Sequence, residues 1–136
     1  MKSYQLKIII ALIIAGIYGC TFTQSYQPDF NDKKASVIDS IKSKYGFENV
    51  KFLAKKISKG GEKHSSLTVK FINGKTIPTD TTQMTALEKV LGSEIKAIVK
   101  DPREFDTYII LLDKVTVKGD VTNDTYTGYE FKSDSL

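Results

Sequence analysis

The side chains that most often carry chemistry are few and scattered in this chain. Cys20 is the only thiol and His64 the only imidazole. Nucleophilic catalysis needs a base held against the nucleophile and oriented by a third group, and structural zinc needs about four Cys or His ligands. One of each builds neither. His64 follows Gly60-Gly61 among lysines and reads as an exposed structural residue. Asp113, Asp120 and Asp124 surround the last turn, but their spacing is not that of an EF-hand loop, and aspartate favours turns for local hydrogen-bonding reasons. No catalytic residue, metal ligand or cofactor is assigned, so the chain is read as a non-enzyme.

Two groupings suggest binding instead. Lys51, Lys55, Lys56, Lys59 and Lys63 run near Tyr45, Phe47 and Phe52, a mixture that nucleic-acid proteins use to hold phosphates and stack bases. Here Val50, Phe52 and Ala54 alternate as a core face would, which leaves the lysines to a solvated sheet surface. Tyr108, Tyr126 and Tyr129 are candidates for a glycan or small-ligand platform, although strand tyrosines also serve as packing residues. Asp39-Ser40-Ile41 and Asp80-Thr81-Thr82 resemble short glycosylation sites of exported bacterial proteins, and only Thr81 falls outside a predicted helix interior.

The placement of Cys20 is the most informative feature. Met1 to Lys7 is short and basic, Ile8 to Ile17 is almost wholly apolar, and Ile17-Tyr18-Gly19-Cys20 closes the segment. An apolar run of about ten residues is half the ~20 that a helix needs to cross a bilayer, so it reads as an export signal and not as a permanent span. With an aliphatic residue three before the cysteine and glycine directly before it, Ile17, Gly19 and Cys20 resemble the lipobox of bacterial lipoprotein precursors. The resemblance covers residues 1–20. It implies diacylglyceryl transfer to the Cys20 thiol, cleavage between Gly19 and Cys20 by signal peptidase II, and acylation of the new amino group. Two or three acyl chains anchor far more firmly than one. Thr21 stands where an inner-membrane retention aspartate would, which points to the outer membrane.

These features need a scaffold. Residues 1–19 are read as the signal, 20–29 as a lipidated tether, and 30–136 as a single domain, because ~100 residues suffice for one core without disulfide or metal. Asn31 or Asp32 caps a helix marked by Val37, Ile38, Ile41 and Tyr45 and stopped at Gly46. Val50 to Ala54 and Leu67 to Phe71 alternate as paired strands across Gly60-Gly61. Asn73-Gly74 signals a turn into a short strand over Lys75 to Ile77. Thr79 or Asp80 caps a second helix carrying Met84, Leu87, Leu91, Ile95 and Ile98, in which Gly92 predicts a bend and Pro102 an end. Thr107 to Val117 and a strand through Thr125, Thr127, Tyr129 and Phe131 close the pattern around Lys118-Gly119-Asp120. The expected fold is α+β: an antiparallel sheet of about four strands packed by two helices, in the order αββαββ, without a residue-level repeat between the halves.

Of the formal charge of +4, Lys2 and Lys7 belong to the signal, leaving +2, which argues against nucleic acid as a partner. The remainder is uneven. Residues 33–75 hold eleven lysines and three acids, or +8, and residues 76–136 seven basic and eleven acidic residues, or −4. Such a surface orients a domain near anionic lipid or beside a partner. The expectation is a lipid-anchored envelope domain that binds another envelope protein through its sheet or basic hairpin, with a small ligand or glycan as the alternative. A flat charged sheet favours the first and a concave aromatic surface the second. Replacing Cys20 with Ser is expected to abolish metabolic lipid labelling and leave uncleaved precursor; a variant that is still labelled contradicts the assignment.

Overall fold

The computed structural model describes residues 21–136. Ile17, Gly19 and Cys20, and with them the export signal, lie outside the described residues. Strands β1 (Thr21–Tyr26), β2 (Asn49–Lys59), β3 (Glu62–Ile72), β4 (Thr107–Lys118) and β5 (Val121–Lys132) form one sheet in chain order. Two helices accompany it, α1 (Lys34–Tyr45) and α2 (Thr81–Ile98). The class is α+β, as the sequence predicts, but the sheet departs from the expectation twice.

A fifth strand is present, since Thr21–Tyr26, read as tether, pairs antiparallel with β2 from Thr21 opposite Lys59 to Tyr26 opposite Ala54. The sheet is also mixed: β3 and β4 run parallel, from Ser66 opposite Thr107 to Ile72 opposite Asp113. The remaining pairs are antiparallel. The physical reason is the connection, because α2 carries the chain back along the sheet and a helical crossover delivers a parallel neighbour. Lys75–Ile77 forms no strand and belongs to the loop entering α2.

Both helices are set by local chemistry. Gly46 ends α1 in the left-handed region at φ 70°, with its N–H donating to the Lys42 carbonyl at 2.8 Å. Asn31 acts two residues early, accepting from Lys33 N at 3.0 Å, while Lys33 occupies the cap position without a side-chain bond. Asp80 caps α2, accepting from Gln83 N at 3.0 Å. Gly92 does not interrupt α2; a Cβ there would stand 3.1 Å from Leu136 and 3.4 Å from Ile110, so its role is close packing of helix on sheet.

One face of the sheet forms the core. Ala54, Leu67, Val69, Phe71, Tyr108, Ile110, Leu112 and Phe131 meet Ile41 of α1 and Leu87, Leu91, Ile95 and Ile98 of α2. Burying such a side chain contributes about 2 kcal/mol, whereas an exposed ion pair contributes about 0–1 kcal/mol, so the register that aligns these rows governs stability. The two hairpins are offset along that register. β4 begins opposite Ser66, so the β2–β3 turn projects beyond it at one end, while β3 stops opposite Asp113 and the β4–β5 arm projects at the other.

The base of the projecting β1–β2 pair, at Tyr26 and Lys56, is clasped by the single turn Pro102–Glu104. Glu104 Oε1 accepts from Tyr26 Oη at 2.8 Å and from Lys56 Nζ at 2.7 Å. The Lys56 bond and then the Tyr26 bond hold the Glu104 carboxyl below its usual range, while burial and then Glu104 push the Tyr26 phenol up. A carboxyl with a lowered folded-state pKa stabilises the fold above its unfolded pKa and loses that contribution as pH falls through the folded value. Glu104→Gln is therefore expected to lower the denaturation midpoint at neutral pH, and the deficit should close as pH falls below about 4.3, the ordinary glutamate value. A deficit that persists unchanged into acid contradicts the clasp.

Candidate functional site

The end of the sheet that bears the β4–β5 arm is shaped by Asn73. It takes φ 55°, a left-handed conformation that asparagine tolerates better than most residues. That turn aims three polar groups at neighbouring strands. Its N–H donates to the Asp113 carbonyl at 2.9 Å, its Oδ1 accepts from Val115 N at 2.8 Å, and its Nδ2 donates to Glu48 Oε2 at 2.6 Å. Gly74 follows because the backbone passes close to the core: a Cβ there would stand 2.6 Å from both Ile77 Cδ1 and Phe47 Cε1. The Asn73–Asp80 loop thus leaves β3 sideways and faces the arm.

Between loop and arm lies a cavity of about 720 Å³. Phe47, Phe71, Ile77, Met84 and Leu112 supply its apolar wall, and Asn73, Lys75, Thr79, Asp113, Lys114, Thr125, Tyr126 and Thr127 its polar lining. Phe47 and Phe71 stack at 5.0 Å between centroids, tilted by 43°. The Asp80 cap fixes where α2 begins and so places Met84 on the wall, where Thr127 Oγ1 donates to Met84 Sδ at 3.1 Å. Ligand cavities usually measure about 300–1,000 Å³ and combine an apolar body with few polar groups, as this one does. Lys75 and Lys114 are exposed, and among the described residues neither makes an ion pair.

On the opposite face of the same strands, Lys70 Nζ lies 3.0 Å from Asp113 Oδ2 and 3.6 Å from Asp124 Oδ2. Burial pushes the Asp113 carboxyl up, but its hydrogen bonds with Asp124 and Lys70 outweigh this and hold it below its usual range. Asp124 is pushed up, first by its hydrogen bond with Asp113. The two carboxyls therefore lose their protons at different pH, with Asp113 the charged partner of Lys70. Asp113 Oδ1 is buried and has no partner among the described residues. On α2, one turn beyond Met84, Glu88 is also buried with an unpartnered Oε1, and burial pushes its carboxyl up.

The residues singled out from sequence are dispersed. His64 is exposed at the β2–β3 end, 3.7 Å from Glu62. The lysine run divides between faces, with Lys51, Lys55 and Lys59 on the helix-free side and Lys56 and Lys63 on the other, contrary to the expected single surface. Asp113 and Asp124 converge on Lys70, whereas Asp120 sits in the turn between β4 and β5. The tyrosines form no platform: Tyr108 is buried in the core with its pKa pushed up to about 12 by burial, then by Asp101 and Glu104. Tyr129 pairs with Ile110 on the helix side; Tyr126 pairs with Asp113 on the opposite face and is the one of the three that also lines the cavity. Thr81 is exposed in the first turn of α2 and Ser40 lies within α1.

Comparison with known proteins finds no matching family model, no matching curated protein and no matching solved structure. The site therefore rests on its geometry. Asn73→Ala would leave the Val115 N–H unpaired and hold alanine in the left-handed region, costing about 2–3 kcal/mol, of which Asn73→Gly restores about 1 kcal/mol. Denaturant titration of the three proteins checks this; equal midpoints for all three contradict the role assigned to Asn73.

Proposed function

We propose that this protein is a lipid-anchored cell-envelope binding module, without catalytic chemistry of its own, that holds a small amphipathic anion between the Asn73–Asp80 loop and the β4–β5 arm. The observation that carries the reading is the cavity itself: an aromatic and aliphatic wall set below two unpaired ammonium groups, Lys75 and Lys114. An apolar ligand body gains from leaving water against Phe47, Ile77, Met84 and Leu112, and a carboxylate, sulfonate or phosphate head gains from the lysines. Phe47 and Phe71 are largely buried behind the wall, and Tyr126 is the one lining aromatic ring that is open, so an acyl or aryl body suits the cavity better than a glycan that needs several ring faces. Anchoring through Cys20 rests on the Ile17, Gly19 and Cys20 pattern, and Thr21 in place of aspartate favours the outer membrane over the inner.

A second reading, a protein partner, is supported by β5. It is an edge strand of twelve residues, exposed at every position but Phe131, with Tyr126 and Val121 uncovered along it. Unpaired edge groups are a template for an added strand from another chain.

The ligand reading is checked with anilinonaphthalene sulfonate, an aryl anion. The native protein is expected to bind it saturably at one site, and Thr127→Trp, an exposed strand substitution that fills the cavity mouth, should weaken binding at least about tenfold, equivalent to ~1.4 kcal/mol. Native protein that does not bind the probe, or a variant that binds it equally, contradicts the cavity as the site.

A further inference from the structure

The strand that the sequence disguises as a tether changes how an anchored domain meets its membrane. Cys20 is joined directly to Thr21, and Thr21 is already in register with Lys59, which pairs with Glu62 across the Gly60-Gly61 turn. One residue spans about 3.8 Å, so an acylated Cys20 has no slack chain by which the body of the domain can stand off from the bilayer. The projecting β2–β3 tip must then lie at the headgroups.

The composition of that tip suits the position. Lys55 and Lys59 lie on one face with Ile57, and Lys63 lies on the other in one row with Ser58 and Phe22, a phenylalanine that is 67% exposed. Glu62 is the one acidic residue in the turn, and Lys56, the remaining lysine, is held by Glu104. Amines at the same end of the sheet as an exposed aromatic ring match an interface where rings settle at headgroup depth and ammonium groups meet anionic lipid. The soluble surroundings of an exposed phenylalanine and isoleucine offer no such gain.

We propose that the β2–β3 tip, with Phe22, is a second and protein-borne membrane contact, selective for anionic phospholipid, that works with the Cys20 lipid to hold the domain upright. It rests on the anchoring reading. The sheet is eleven residues long along β2, so at ~3.3 Å per residue the cavity at its far end is carried about 35 Å from the headgroups, open to the surrounding compartment. The arrangement presents the site outward and leaves the β5 edge lateral.

The chain contains no tryptophan, so Phe22→Trp gives a single reporter. The acylated mature protein carrying it is reconstituted into vesicles of phosphatidylcholine alone or with phosphatidylglycerol, with brominated lipid as quencher. The contact predicts blue-shifted, quenched emission with phosphatidylglycerol, and at least about threefold less quenching when Lys59→Glu and Lys63→Glu are added or salt is raised. Unquenched emission with phosphatidylglycerol from protein that mass spectrometry shows to be acylated and that floats with the vesicles overturns the contact and leaves the anchor standing. Protein whose mass shows no acyl chain overturns both. Emission that is quenched equally in neutral and anionic vesicles overturns the selectivity for anionic lipid.

Discussion

The parallel pairing of β3 with β4 is the constraint on which the rest of the structure depends. Without it the three strands β1–β3 and the two-stranded β4–β5 hairpin would be separate units, and an isolated two-stranded hairpin is at best marginally stable in water. Their junction, from Ser66 opposite Thr107 to Ile72 opposite Asp113, brings Leu67, Val69 and Phe71 beside Tyr108, Ile110 and Leu112 on one face. That continuous row is what α2 covers, and Gly92 is small so that it can do so closely. The loop that returns the chain is held in place at the same junction by Asn73, whose bonds reach Glu48, Asp113 and Val115.

Electrostatics reinforce the same seam. The basic stretch 33–75 and the acidic stretch 76–136 meet there, and the ion pairs of long sequence separation join one to the other: Lys56 to Glu104, and Lys70 to Asp113 and Asp124. The pair involving Asp113 is the more demanding, because a buried carboxylate without its cation costs more than an exposed pair contributes. The uneven charge along the chain is thus partly internal to the fold. Among the lysines that remain outside it, Lys55, Lys59 and Lys63 lie at one end of the sheet and Lys75 and Lys114 at the other. The offset of the hairpins separates those ends and gives them different work.

Much of this was legible in residue patterns. The 3.6-residue recurrence of α1 and α2, the Gly46 stop, the Asp80 cap and the alternation of β2, β3 and β5 are local signals, and each acts locally in the fold. β1 was not legible, since Thr-Phe-Thr-Gln-Ser-Tyr carries only two apolar side chains and gains its pairing from the long β2 beyond the core. Nor was the parallel junction, because strand order is decided by the crossover and not by composition. The cavity escaped for the same reason. Asn73-Gly74 read as a turn, but only the crossover shows that Ile77, Met84, Leu112 and Thr127, from four segments of the chain, share one space. The tyrosines misled because their faces depend on register, which sets Tyr126 and Tyr129 on opposite sides.

The space between loop and arm is proposed as a ligand site and not a packing gap. Native mass spectrometry of the acylated protein, released from its own membranes in mild detergent, tests it most directly, with Thr127→Trp prepared in parallel. One additional small anionic mass is expected on the wild type and is absent from the variant. Wild type and variant that both fly at the mass of acylated protein alone, with the cavity methyls of Ile77, Met84 and Leu112 unshifted by a cell-envelope extract, would contradict it.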